Sequence, residues 1–160
     1  MNIIRGFATT FKHALEEPVT LQYPEEVKEF QPRYKGRHHL RRYDNGLEKC
    51  IGCALCAAAC PADAIWVEAA ENTDDERYSP GERYAKTYEI NMLRCIFCGY
   101  CEDACPTQAI QLGHEHQLSF TTREDSIFDK AMLIDPVPED GAPTPQVVEP
   151  GLVGEHFADP

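Results

Sequence analysis

Eight cysteines, every one in the chain, fall into two runs of identical spacing: CIGCALCAAACP at residues 50–61 and CIFCGYCEDACP at residues 95–106. Within each run the thiols are separated by two, two and three residues, and a proline follows the fourth. Two-residue gaps turn successive sulfurs back toward one point, so each run has to wrap a compact object before anything else about the fold is decided. The register persists past the cysteines, because Ile51, Pro61, Ala64 and Ile65 recur as Ile96, Pro106, Ala109 and Ile110 at a constant offset of 45 residues. The chain therefore builds one loop and short helix twice.

Three kinds of chemistry use such thiols: disulfides, zinc and iron–sulfur clusters. The N-terminal MNIIRGFATTF lacks the uninterrupted apolar core and small-residue cleavage site of a secretory signal, which places the cysteines in a reducing cytoplasm where disulfides are rare. Tetrahedral zinc takes four ligands from C-x2-C hooks and leaves each run with three close cysteines and an odd fourth. A cubane 4Fe-4S cluster suits the spacing better, with three irons held by the close thiols and the fourth by a distant one; zinc and disulfides stay as the minority alternatives. C-x2-C-x2-C-x3-C-P is the run of bacterial two-cluster ferredoxins, whose fourth cysteine ligates the other cluster. Applying that rule gives two 4Fe-4S clusters: Cys50, Cys53, Cys56 and Cys105 for the first, and Cys95, Cys98, Cys101 and Cys60 for the second. Ile51, Ile65, Ile96, Phe97 and Ile110 are expected to shield them, and the prolines to fix the backbone after each fourth cysteine.

The remainder of the chain arranges itself around this core. Residues 1–18 carry Ile3, Ile4, Phe7, Phe11, Ala14 and Leu15 on one helical face and end at Pro18, an amphipathic helix for docking on a membrane or partner, the alternative being packing on the chain's own core. Residues 19–45 read as an extended basic connector: Pro24 and Pro32 forbid a long helix, and RYKGRHHLRR has five Arg or Lys and no acid. His38 and His39, adjacent and pointing apart, are expected at the surface. Residues 46–134 form the cluster domain, with strands at IWVEAAE and TYEINML around a polar loop, NTDDERYSPGERY. Residues 135–160, with six prolines and excess acid, lack the apolar surface for a core of their own and read as an extended or disordered tail, or one laid over a neighbour. The fold class is α+β, a pseudo-twofold two-cluster ferredoxin-like domain with these three appendages.

Charge and motif content narrow the function. A formal net charge of -12 argues against nucleic acid as a partner. Its uneven spread, basic before the clusters and acidic after, implies different surroundings for the two ends. No stretch reaches the roughly 20 apolar residues of a spanning helix, so membrane contact is expected to be peripheral. Nucleotide fingerprints (G-x-G-x-x-G, P-loop) and hydrolase motifs (G-x-S-x-G, HExxH) are missing, so direct NADH or flavin binding and a catalytic residue are not expected. A cluster with four cysteine ligands moves one electron and has no open iron, so the chain reads as a wire.

VTLQYPEE (19–26), GRHHLRRYDNGLEKCIGCALCAAACPADAI (36–65), KTYEINMLRCIFCGYCEDACPTQAI (86–110) and TREDSIFDKAML (122–133) together resemble subunit I of bacterial NADH-quinone oxidoreductase, respiratory complex I, the TYKY type. The resemblance runs from about Thr20 to Leu133; the tail lies outside it, and Asp44 stands where the family has proline. It implies a peripheral-arm subunit on the cytoplasmic side of the bacterial cell membrane, with other complex I subunits as partners. Electrons from NADH and flavin would pass through it toward the terminal cluster and quinone, with protons moved by other subunits. A ferredoxin-like subunit of a related membrane-bound hydrogenase complex, or a free dicluster ferredoxin, is the alternative.

Overall fold

The structure, a computed structural model, describes residues 2–146. It divides at Pro32 into two units, 1–32 and 33–160.

In the first unit, α1 (Asn2–Ala14) carries Lys12 and His13 in its last turn, where cations complement the carbonyl end of the helix dipole. Thr9 and Thr10 donate back to the carbonyls of Arg5 and Gly6 and so remain compatible with the helix. Ile3, Ile4, Phe7, Phe11 and Leu15 are all exposed. Residues 19–32 contain no strand or helix.

The second unit holds two small antiparallel sheets. One pairs β1 (His38–Leu40) with β4 (Ile110–Leu112); the other has the order β2 (Ile65–Glu71), β3 (Arg83–Asn91), β5 (Ile127–Phe128). Short helices α2 (Leu55–Ala58) and α3 (Tyr100–Asp103) each carry the third cysteine of a run, Cys56 and Cys101, and α4 (Lys130–Leu133) follows β5. Asp129 caps α4, its side chain accepting from the Met132 N–H. Leu40, Ala85, Tyr88, Ile90, Met92, Ile110, Leu112, Phe128 and Leu133 form the core, joined by Cys56 and Cys101. The strand expected at IWVEAAE is β2, whereas β3 begins at Arg83, four residues before the TYEINML stretch, and ends before Met92. The hairpin loop between them is closed by the Asn72 amide, which donates to the carbonyls of Ser79 and Gly81, while its oxygen accepts from the Tyr78 N–H. Tyr78 and Tyr84 stack across its base at 4.1 Å.

Three segments differ from their expected environments. His38 is 2% exposed and not at the surface, because residues 38–40 pair with 110–112 as a strand and alternate residues of a strand face opposite ways. His39, on the other face, lies 3.5 Å from Asp135. The arginines of the basic run bind the chain's own acidic C-terminal side: Arg41 reaches Asp135 at 3.0 Å, Arg37 donates to the Met132 carbonyl, and Arg42 donates to the carbonyls of Asp135 and Gly46. The charge asymmetry is thus partly an internal complementarity, and the ends do not simply meet separate surroundings. Residues 135–146 lie along the unit, with the Asp135 N–H on the Leu40 carbonyl, Ala142 on Asn45, and Arg77 and Gln146 exchanging a backbone pair at 2.7 Å. The rest of the Pro-rich tail is outside the described residues.

Candidate metal centres

Each cysteine run takes its shape from backbone positions that few residue types accept. Positive φ occurs at Gly52, Ala54 and Asp63 in the first copy and at Phe97, Gly99 and Gln108 in the second, three pairs at the 45-residue offset of the sequence repeat. Left-handed Ala54 and Gly99 occupy the positions just before α2 and α3, bending the chain so that the third cysteine turns inward. A non-glycine residue in that region is uncommon and costs energy, so four of them at matched places mark a backbone held by what it surrounds. Gly52 has a second reason: a Cβ there would lie 2.8 Å from the Tyr84 carbonyl oxygen.

The backbone also aims N–H groups at sulfur. Ala64 donates to Cys60 at 3.4 Å, Ala109 to Cys105 at 3.2 Å and Phe97 to Cys95 at 3.3 Å. Ala64 and Ala109 are buried, which explains their repetition: the position requires a donor and has little room for a side chain.

The thiols group across the repeat. Cys50, Cys53 and Cys56 line one cavity together with Cys105 of the other run, walled by Leu40, Ile51, Val67, Tyr88 and Ile110. Burial pushes the Cys50 thiol up to about 12, with the neighbouring Cys56 and Cys105 adding to the rise. Around the other run, burial raises Cys95, and its contributing neighbours are Cys60 and Cys98. Cys101 is pushed up to about 12 by burial, against a lowering hydrogen bond from the Glu102 backbone, with smaller rises from Cys56, Cys95 and Cys98. Cys105 differs. Burial alone would raise it, but hydrogen bonds from Ile110, Thr107 and Ala109 outweigh burial and hold it below the ordinary thiol value. Buried thiols this reluctant to ionise in water ionise readily on iron, whose charge replaces the lost solvation, so loading releases protons.

This donor set fits the cluster: sulfur-only ligands, backbone N–H groups directed at them, and a largely apolar wall. Among the described residues no three His, Cys, Asp or Glu side chains converge closely enough for one metal ion.

The shielding residues differ between the sites. Ile110 is buried and Ile51, Ile65 and Phe97 are half-buried, but Ile96, expected to shield, is 65% exposed. Among the described residues nothing after run two matches the long β2–β3 hairpin folded over run one, since β4 and β1 are only three residues each.

Two side chains that sequence reasoning passed over also reach the thiols. The Tyr88 hydroxyl is 3.2 Å from Cys56 Sγ, and His38 Nε2 is 3.7 Å from Cys95 Sγ. Burial and the adjacent thiols push the Tyr88 phenol well above its ordinary value, so it stays protonated. The linear repeat gave no signal for either.

Residues 49–109 match the family model described as a 4Fe-4S dicluster domain. One solved structure, that of the membrane-bound sulfane sulfur reductase, an archaeal respiratory membrane complex, aligns at 33% identity over 81% of this chain, with a TM-score of 0.49. The chain spans 60% of the length of that one. The protein is a small α+β chain with a 4Fe-4S ferredoxin-type domain, and its cofactor is two 4Fe-4S clusters.

Proposed function

We propose that this chain is the electron-transfer subunit of a membrane-associated NADH-quinone oxidoreductase, passing electrons between two 4Fe-4S clusters ligated by Cys50, Cys53, Cys56 and Cys105 and by Cys95, Cys98, Cys101 and Cys60. The observation that carries the electron-transfer reading is the crossed grouping of the eight thiols, with Cys105 in the cavity of the first run and Cys60 beside Cys95. It uses every sulfur and leaves no iron for a substrate. When bound, the clusters would supply one-electron transfer, with Cys50, Cys53, Cys56 and Cys105 holding one and Cys95, Cys98, Cys101 and Cys60 the other. Ile110, Leu40 and Val67 keep water from the first site.

The finer assignment rests on the resemblance of residues 19–26, 36–65, 86–110 and 122–133 to the complex I subunit. In that assembly the chain sits peripherally on the cytoplasmic face of the membrane, contacts peripheral-arm and membrane-arm subunits, and uses α1 to dock. Among the described residues no helix is long and apolar enough to cross a membrane. A related membrane-bound complex with a different electron donor would use the same two clusters in the same way.

The test is made on membranes in which the assembled complex carries Cys98→Ala. NADH-to-quinone electron flow stops, while NADH oxidation by an artificial acceptor that draws electrons upstream continues. Quinone reduction at an undiminished rate means that electrons bypass this chain and overturns the reading.

A further inference from the structure

The strand registers reveal a correspondence that the linear repeat hides. Val67 pairs with Tyr88 across β2 and β3, and Leu112 pairs with His38 across β4 and β1. Leu112 is the repeat counterpart of Val67, as Gln111 is of Trp66 and Ile110 of Ile65. Their partners correspond in turn: Tyr88 with His38, Glu89 with His39, Ile90 with Leu40. The offset on the partner strands is 50 residues and their order is reversed, since β1 precedes the first run and β3 precedes the second, so no alignment of the runs finds it.

Tyr88 and His38 are 1% and 2% exposed, and each turns its polar atom onto a cysteine sulfur. A thiolate on iron has no proton and can only accept, so the Tyr88 hydroxyl donates. For His38 the tautomer follows from its surroundings. Nδ1 is buried without a hydrogen-bond partner, and an unpaired buried N–H costs more than an under-used lone pair, which leaves the proton on Nε2, facing Cys95. The Phe97 ring lies against the imidazole, with centroids 5.6 Å apart, and fixes its plane.

We infer that Tyr88 and His38 are a matched pair of buried hydrogen-bond donors that set the potentials of the two clusters separately, a phenol acting on the first through Cys56 and an imidazole on the second through Cys95. The reduced state of a cluster carries one more negative charge than the oxidised state. A donor on a ligand sulfur therefore stabilises the reduced state more and raises the potential. Because the two donors differ in chemistry and in distance, 3.2 Å against 3.7 Å, two sites with the same ligand set acquire different potentials. The inference rests on the two-cluster assignment but not on the crossing, since Cys56 and Cys95 belong to different clusters whichever fourth cysteine completes each.

The experiment uses the full chain, reconstituted anaerobically to about eight irons and studied by protein-film voltammetry, with resonance Raman of the Fe–S(Cys) stretches as a second readout. Tyr88→Phe shifts one wave to lower potential and leaves the other in place. His38→Leu shifts the other wave downward, and His38→Gln, which retains an N–H donor, recovers part of that shift. Each loss of a donor moves a different subset of Fe–S stretches to higher frequency. Unmoved waves and bands at full iron content overturn the donor pair, as does displacement of both waves by either single substitution. Loss of iron from Tyr88→Phe or from both His38 variants also overturns it, because the side chains then serve to hold the fold. Failure of the unsubstituted chain to take up iron defeats the two-cluster assignment instead.

Discussion

The two halves of the cluster domain start from the same twelve-residue grammar and end in different environments. Around the first run, β2 and β3 extend to seven and nine residues, and their loop returns over Ile51, locked by Asn72. Around the second run, the matching strands stop at three residues, and Cys98, Ile96, Tyr100 and Leu93 are exposed. Ligand geometry is therefore set by the repeat, and solvent access by what is inserted between and after its copies. The enclosed site is built for separation from water. The open one leaves apolar side chains and the Cys98 thiol in contact with solvent.

The comparison is broken most severely at the fourth cysteines. With crossed ligation, Cys105→Ala empties the enclosed site and Cys60→Ala the open one, each leaving about four irons per chain. An iron chelator distinguishes the remainder. The intact chain loses iron in a fast and a slow phase, Cys60→Ala retains only the slow phase, and Cys105→Ala only the fast. The reverse assignment would mean that each run completes its own cluster. A single phase in the intact chain would mean that the hairpin does not protect the first site.

How much of this was legible in the sequence depends on the range over which each feature is encoded. The cysteine spacing, the paired Ala64 and Ala109, and the strand at IWVEAAE are local, and local periodicity reports them. The burial of His38 is not local. It depends on β1 finding β4 across 70 residues, and the flanking Arg37 and His39 are polar enough to hide the strand signal. The basic run reads from sequence as an extended connector, although its partners, Asp135 and the Met132 carbonyl, are in the same chain, because charge pattern gives sign and not address. Phe97 and Gln108, both left-handed, carry no residue-type signature for that conformation; only alignment with Gly52 and Asp63 exposes them.

A smaller effect sharpens the comparison on the enclosed side. Glu48, two residues before Cys50, is 3% exposed and lies 2.6 Å from Lys130 Nζ, close enough for an ion pair though not aligned as a hydrogen bond. Lys130 also donates to the Ala85 carbonyl in β3 and sits over the Tyr84 ring. Removing only the cation leaves a carboxylate buried without compensation, so Lys130→Met costs about 3–5 kcal/mol. Replacing both partners, Glu48→Gln with Lys130→Met, restores most of the loss, because the charge to be desolvated is gone. Denaturant unfolding of the reconstituted chain measures both. Equal costs for the single and double variants would show that packing of the Lys130 stem, and not the ion pair, matters there.

The smallest effect lies on the open side, where residues 121–126 lead into β5 through surface hydrogen bonds. The Asp125 carboxylate accepts from the Thr121 hydroxyl at 2.9 Å and from the Thr122 N–H at 3.2 Å, and these donors hold its pKa below the ordinary carboxylate range. A group whose folded value lies below its unfolded value adds stability that is fully present above the unfolded value and is lost as pH falls through the folded one. Acidification therefore loosens this turn first. The Met92 N–H, which donates to the Ser126 carbonyl, loses protection with it, while the Tyr78 N–H bound by Asn72 on the enclosed side does not, because an amide acceptor does not titrate in this range. Asp125 is fully exposed, so solvent screens the interaction and the change is confined to local opening. Amide hydrogen exchange at Met92 and Tyr78, compared at neutral and acidic pH after correction for intrinsic rates, reads the difference. In Asp125→Asn the pH dependence at Met92 disappears; if it persists, another group controls the turn and the contrast between the two flanks has a different origin.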